Sequence, residues 1–266
     1  MEGISQPLPQ PSPPKRKRGL TIGIVFVVAL ITTLYFLLSS GRQPVKVGES
    51  LSFGIYVGGT RIGSLLERIT ESTVIENTKC YVAKYTLTTN GSARAGVLKF
   101  DERGRLRRAV IAQAENLSLK WRTEVGYFYD QGLMRVIVQD NRVPENYREN
   151  DVLIRFGSET VMLPEHVWYF LRFQPLGPHY RLELYLNLLP YANFNQKVAL
   201  KVTREEDIET PAGRFSCWVL EGENTRLASW PIDKIWVSKN EKIVVKAIEL
   251  QDSIQIEYSL LEVKLD

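Results

Sequence analysis

Histidine and cysteine are scarce in this chain. Two of each, in 266 residues, are the only imidazoles and thiols it offers to a metal ion. Cys80, Cys217, His166 and His179 show no C-x-x-C or H-x-x-x-H spacing, so no metal site is expected. His166 reads as an interfacial side chain and His179 as a loop residue. No cofactor is expected either. "GGTRIG" (Gly58 to Gly63) joins two strand-like runs and opens no helix, so it lacks the setting in which glycines cradle a phosphate. Ser216 has no histidine near it in sequence, and Glu205-Glu206-Asp207 reads as a solvated loop beside a turn. With no nucleophile and base to pair, the chain is not expected to be an enzyme. Acid is almost missing from the start, where Glu2 is the only acidic residue before position 42. Beyond position 41 the balance is 30 basic to 29 acidic residues, which excludes the clustered positive surface of a nucleic-acid partner. The densest basic cluster left, Arg103, Arg105, Arg107 and Arg108, reads as a charged hairpin or strand edge.

Charge is also absent from Leu20 to Leu38, "LTIGIVFVVALITTLYFLL". Nineteen uncharged residues suffice to cross a bilayer as a helix. Lys15, Arg16, Lys17 and Arg18 stand just before them, which places the N-terminus in the cytoplasm and the rest of the chain outside. The run is longer than the apolar core of a cleaved signal peptide, the alternative reading. Residues 1–18 are rich in Pro, Ser and Gln and read as a disordered cytoplasmic tail. The expected layout is therefore a tail (1–18), a membrane anchor (19–40) and one extracytoplasmic domain (41–266), in a single-pass protein of the cell membrane.

From Val45 onward the hydrophobic period is two. Leu117, Leu119, Trp121, Thr123 and Val125 alternate with polar residues, as do Val198, Leu200 and Val202, and Ile254, Ile256, Tyr258 and Leu260. Such alternation gives a sheet with one buried face. Gly58-Gly59, "DERG" (Asp101 to Gly104), "DQG" (Asp130 to Gly132) and "SKNEK" (Ser238 to Lys242) mark turns between the runs. "TPAGRFSCWVL" (Thr210 to Leu220) resembles a reactive site at first sight. Pro211 and Gly213 instead suit a tight turn between two strands. Roughly ten strands in a mainly β, antiparallel half-barrel or open barrel are expected. "NGS" at Asn90 and "NLS" at Asn116 match the glycosylation pattern, a match common by chance.

"LPEHVWYFLRF" (Leu163 to Phe173) breaks the alternation. Pro164 and Glu165 suit a helix start, so a helix of about ten residues is predicted, covered on several sides by the concave face of the sheet. Its aromatics Trp168, Phe170 and Phe173, with Trp121, are the candidate ligand-binding residues, and core packing is the competing reading. Cys80 and Cys217 both fall in strand-like runs. A disulfide between them is one outcome if the domain lies outside the cytoplasm, and burial as free thiols is the other.

Three stretches carry a resemblance: "LSFGIYVGGTRIGSLLERIT", "LPEHVWYFLRF" with Gly177 after it, and "ETPAGRFSCWVLEG" with "KIWVSKNEKIVVKAIEL". Together they span about Val45 to the C-terminus. The layout resembles an uncharacterised bacterial cell-envelope family, a domain of unknown function grouped with lipoprotein-carrier and lipoprotein-sorting half-barrels. The resemblance implies a half-barrel around a helix and the binding of a lipid or other apolar ligand. It carries no catalytic residues onto this chain. The expected function is a membrane-anchored, non-catalytic binding module. The alternative is a scaffold that docks an envelope partner protein.

Overall fold

The computed structural model describes residues 45–116, 118–143, 149–157, 161–187, 195–223, 232–251 and 253–265. The predicted tail and the Leu20–Leu38 anchor lie outside them. No helix among the described residues is long and apolar enough to cross a membrane.

Fifteen strands form one sheet among those residues, more than the roughly ten expected. The first eight are β1 (Ser50–Val57), β2 (Thr60–Ile75), β3 (Thr78–Thr89), β4 (Ser92–Asp101), β5 (Leu106–Glu115), β6 (Ser118–Phe128), β7 (Leu133–Asp140) and β8 (Glu149–Arg155). Next come the short β9 (Val161–Met162), a 3-10 turn (Pro164–His166) and the helix α1 (Val167–Leu171). The remaining strands are β10 (Arg181–Asn187), β11 (Asn195–Thr210), β12 (Gly213–Glu223), β13 (Ile232–Ser238), β14 (Val244–Gln251) and β15 (Ile254–Lys264). Each predicted turn falls between strands. Gly58 and Gly59 take φ of 55° and 79°, the left-handed pair that a two-residue hairpin needs. "TPAG" is likewise a hairpin corner, with Thr210 opposite Gly213.

The spatial order runs β8 to β1, then β15 to β9, so the first and last strands pair in the middle. All pairings are antiparallel except β9 with β10. This order dictates curvature. Fifteen strands laid flat would separate the two edges by about 65 Å. Only six residue steps join Arg155 on one edge to Val161 on the other, a reach of about 20 Å at most. The sheet must therefore bend until its edges approach, and its inward side chains share one core with α1.

Alternation is obeyed where it was clearest. Trp121, Val125 and Tyr127 on β6, and Val198, Leu200 and Val202 on β11, are buried. Leu119 and Ile254 lie near strand ends and are exposed, so the alternating rows stop short there. Leu117 is outside the described residues. The long β11–β12 hairpin runs beyond the sheet, and its tip returns to β15, where Ala212 N donates to Leu260 O (3.4 Å).

Several local expectations need correction. Glu205, Glu206 and Asp207 sit within β11 rather than in a loop, with Glu205 paired to Lys239 and Glu206 to Arg204. The basic cluster at 103–108 is a hairpin, but part of it points inward. Asp101, almost fully buried, accepts from Arg103 N, Arg105 N and the Arg105 and Arg107 guanidinium groups. Both guanidinium groups also lie over the Tyr129 ring.

Candidate functional site

Residues 164–171 are helical, close to the predicted extent, and nearly every side chain there is buried. Pro164 presets φ at the start. Trp168 is wedged between Phe53 on β1 (5.0 Å between ring centres) and Tyr258 on β15 (5.4 Å). Phe100 on β4 is the aromatic hub. It meets Tyr169 (5.4 Å), His166 (5.5 Å), Phe173 (5.9 Å) and Tyr81 (6.0 Å). Phe173 lies on Gly104, where a Cβ would come within 2.6 Å of the ring.

Of the sequence-predicted site residues, Trp168, Phe170 and Phe173 are thus gathered by the helix. Trp121 stands apart on β6 and is linked to the helix through Arg94. The Arg94 guanidinium lies 5.4 Å from the Trp121 ring, while its Nη1 is 2.9 Å from Glu165 Oε1 and its Nη2 donates to Gln113 Oε1 (3.0 Å). Trp121, Trp168 and Phe170 are at most 8% exposed and form part of the hydrophobic core. Cys80 and Cys217 are free thiols, each fully buried. Burial pushes the Cys217 thiol up to about 12.

The unforeseen feature is polar. Glu165, Tyr169 and Arg172 recur at spacings of four and three, which aligns them on one side of the helical segment. Arg172 Nη2 lies 2.8 Å from Glu49 Oε2, and both side chains are about 5% exposed or less. Lys46 N donates to Glu49 Oε1 (2.7 Å), which fixes this acid just ahead of β1. Glu67, inward on β2, is buried near the same arginine. Burial raises its carboxyl to about 8, although Arg172 pulls the other way. Tyr85 is opposite Glu67 across β2 and β3. It lies across Gly96, whose Cβ, if present, would be 2.2 Å from the ring. On the far side Tyr258 Oη donates to Glu249 Oε2 (3.1 Å). Burial raises Glu249 to about 7, with Tyr258 and Arg94 opposing and Glu165 adding to the rise.

The cluster joins helix to sheet without satisfying itself. Tyr85 Oη, Tyr169 Oη, Glu165 Oε2, Arg172 Nε and both His166 nitrogens have no hydrogen-bond partner among the described residues. Buried polar atoms are normally paired, because an unpaired one costs about 1–3 kcal/mol. The spacing of Glu165, Tyr169 and Arg172 was readable in sequence. Their partners were not, because Glu67, Tyr85, Arg94 and Glu249 come from four strands.

His166, expected at an interface, is wholly buried against Phe100 and Phe170. Burial lowers its pKa to about 3. The folded state then binds fewer protons than the unfolded state between pH 3 and 6.5. The contribution of His166 is complete above 6.5 and is lost as pH falls, by at most about 1.4 kcal/mol per unit. Replacing His166 by Phe should flatten that part of the profile, and urea unfolding between pH 3 and 4.5 reads it most cleanly.

The chain belongs to the DUF3108 family, proteins of unknown function, whose family model matches residues 50–259. No curated protein matches it. Among solved structures it is similar to a β-barrel-like protein of the DUF1849 domain of unknown function from Brucella abortus. Identity there is 9% and the TM-score 0.53, over 84% of this chain and 99% of that one. That likeness concerns the fold alone. A protein from Bacteroides fragilis described as exported, with a YmcC-like fold, matches at 15% identity and a TM-score of 0.34, over 83% of this chain and 97% of that one. One from Parabacteroides distasonis described as a lipoprotein matches at 12% identity and a TM-score of 0.30, over 83% and 97%.

Proposed function

We propose that this domain is a non-catalytic module of the cell envelope that holds an amphipathic molecule between its sheet and helix. The anchor-like run at Leu20 to Leu38 and the basic residues before it support an extracytoplasmic position. The ligand's apolar part would lie along Trp168 and the aromatics around it. Its polar end would meet Tyr85, Tyr169 and Glu165. One observation carries the reading: buried hydrogen-bonding atoms without partners are concentrated where the helix faces β3 and β4. A purely apolar ligand would leave those atoms unpaired, so the bound molecule must itself bring donors and acceptors.

The test is extraction of the full chain, purified in mild detergent, followed by mass spectrometry of the extract. Wild type should carry about one equivalent of an amphiphile. The double variant Tyr85→Phe/Tyr169→Phe keeps the rings and removes two hydroxyls, and it should carry at least tenfold less. An empty wild-type extract, or equal loading of the two proteins, overturns the reading. A partner-docking scaffold is the second reading. It is favoured by β8, a sheet-edge strand on which Leu153 is 61% exposed.

A further inference from the structure

A groove of about 400 Å³ is lined by Tyr56, Gly58, Gly59, Pro211, Gln255, Glu257 and Ser259. Phe53 and Tyr258 pack on Trp168 of the helix, and Tyr56 and Glu257 stand on the alternate positions of β1 and β15, which face the other way. That volume is within the about 300–1,000 Å³ range of small-molecule sites. We propose that this groove is a saccharide-binding site, with Tyr56 as the platform for a pyranose ring.

Four features of the groove support this. First, Tyr56 is held flat. It lies over Gly54, where a Cβ would come within 2.6 Å of ring Cε2, so a glycine two residues earlier makes room for the ring. One face of the ring covers the strand, and the half-exposed side chain also borders the groove. An aromatic face of this kind receives the C–H side of a sugar ring. Second, Gln255, Glu257 and Ser259 alternate along β15 and so share a face, with neighbours about 7 Å apart. They set an amide, a carboxylate and a hydroxyl in a row beside the platform, and Glu257 is directly opposite Tyr56 in the register. Third, the polar atoms are unengaged. Tyr56 Oη, the Gln255 amide and Ser259 Oγ make no hydrogen bond among the described residues, whereas the Glu257 charge is balanced by Lys246 at 2.9 Å. Fourth, the ends are shaped. Pro211, on the returning tip of the β11–β12 hairpin, borders the groove, while Gly58 and Gly59 have open space where their Cβ atoms would be.

The same inventory argues against other ligands. Amide, hydroxyl and balanced carboxylate together suit a polyhydroxylated, largely uncharged ring. A phosphate would need cations, and none is among the residues that line the groove. An acyl chain would strand the polar row without partners. The TPAG corner, which resembled a reactive site, thus becomes one border of a groove.

The full chain in mild detergent should be screened on an array of neutral and acidic hexose and hexosamine oligosaccharides, and each hit titrated by calorimetry. Wild type should retain at least one oligosaccharide class. Tyr56→Ala should weaken that binding by at least tenfold, and Gln255→Ala, at an exposed strand position, by severalfold. Tyr85→Phe/Tyr169→Phe should leave it unchanged, which separates this site from the interior one. The proposal is overturned if wild type retains no saccharide or if Tyr56→Ala binds as well as wild type. Should circular dichroism show Tyr56→Ala unfolded, undiminished binding by Gln255→Ala overturns it instead.

Discussion

Replacing Arg172 with methionine is expected to destabilise the domain by about 3–5 kcal/mol. Arg172 and Glu49 are each at most 5% exposed and meet at 2.8 Å. Methionine fills much of the arginine's volume but supplies no cation. The Glu49 carboxylate would then be buried without a counter-charge, and an unpaired buried ion costs far more than its pair contributes. Glu67 would lose the nearby positive charge that opposes its upward shift. The double variant Glu49→Leu/Arg172→Met separates the two effects. It removes the ion pair as a unit and should regain most of the loss, as matched apolar replacements of buried pairs often do. Equilibrium urea unfolding of the three proteins at pH 7 measures both quantities. A single variant within 1 kcal/mol of wild type would mean that Glu49 finds water or another partner once the arginine is gone.

Glu67 is expected to make the domain less stable as pH rises from 4.5 to 8. Its folded-state pKa of about 8 is above the ordinary 4.5, so across that window the folded state holds a proton that the unfolded state has released. The stabilisation is complete below 4.5 and is lost as pH climbs through 8, at up to about 1.4 kcal/mol per unit. Glu249 adds a slope of the same sign up to about 7. His166 opposes both, but only below 6.5. Between pH 7 and 8 Glu67 therefore dominates these three groups. Glu67→Gln should abolish the slope there and be more stable than wild type at pH 8. Thermal unfolding at half-unit pH steps tests this, and parallel profiles for the two proteins would count against a proton on Glu67.

These two groups also mark how far the sequence could be read. Alternation and turn chemistry are local, and so the sheet, its hairpins and the helical segment were legible. Gly58-Gly59 and Pro211-Gly213 carry their backbone geometry in their own residue types. The number of strands was harder to read, because long hairpins such as β2–β3 conceal their pairing in runs without a strong period. The polar cluster was obscured for a different reason. Glu67 between Leu65 and Ile69, or Arg94 before Gly96, looks like a single break in an alternating strand. Its meaning depends on a register that places Tyr85 opposite Glu67 and on a helix that brings Glu165 and Arg172 from a hundred residues away in sequence, or nearly so. Conversely, the aromatic residues stood out by composition, and most of them proved to be core.

The pairing of β1 with β15 has a kinetic consequence. Each half of the sheet is a meander of neighbours in sequence and can zip up locally, but the join between them links residues about two hundred positions apart. Ordering so long an intervening chain before the join contributes any energy is slow. Until Ile254–Lys264 docks, β1 and β14 each keep a bare hydrogen-bonding edge beside apolar side chains. The half-built protein is thus most prone to self-association just before its final strand arrives.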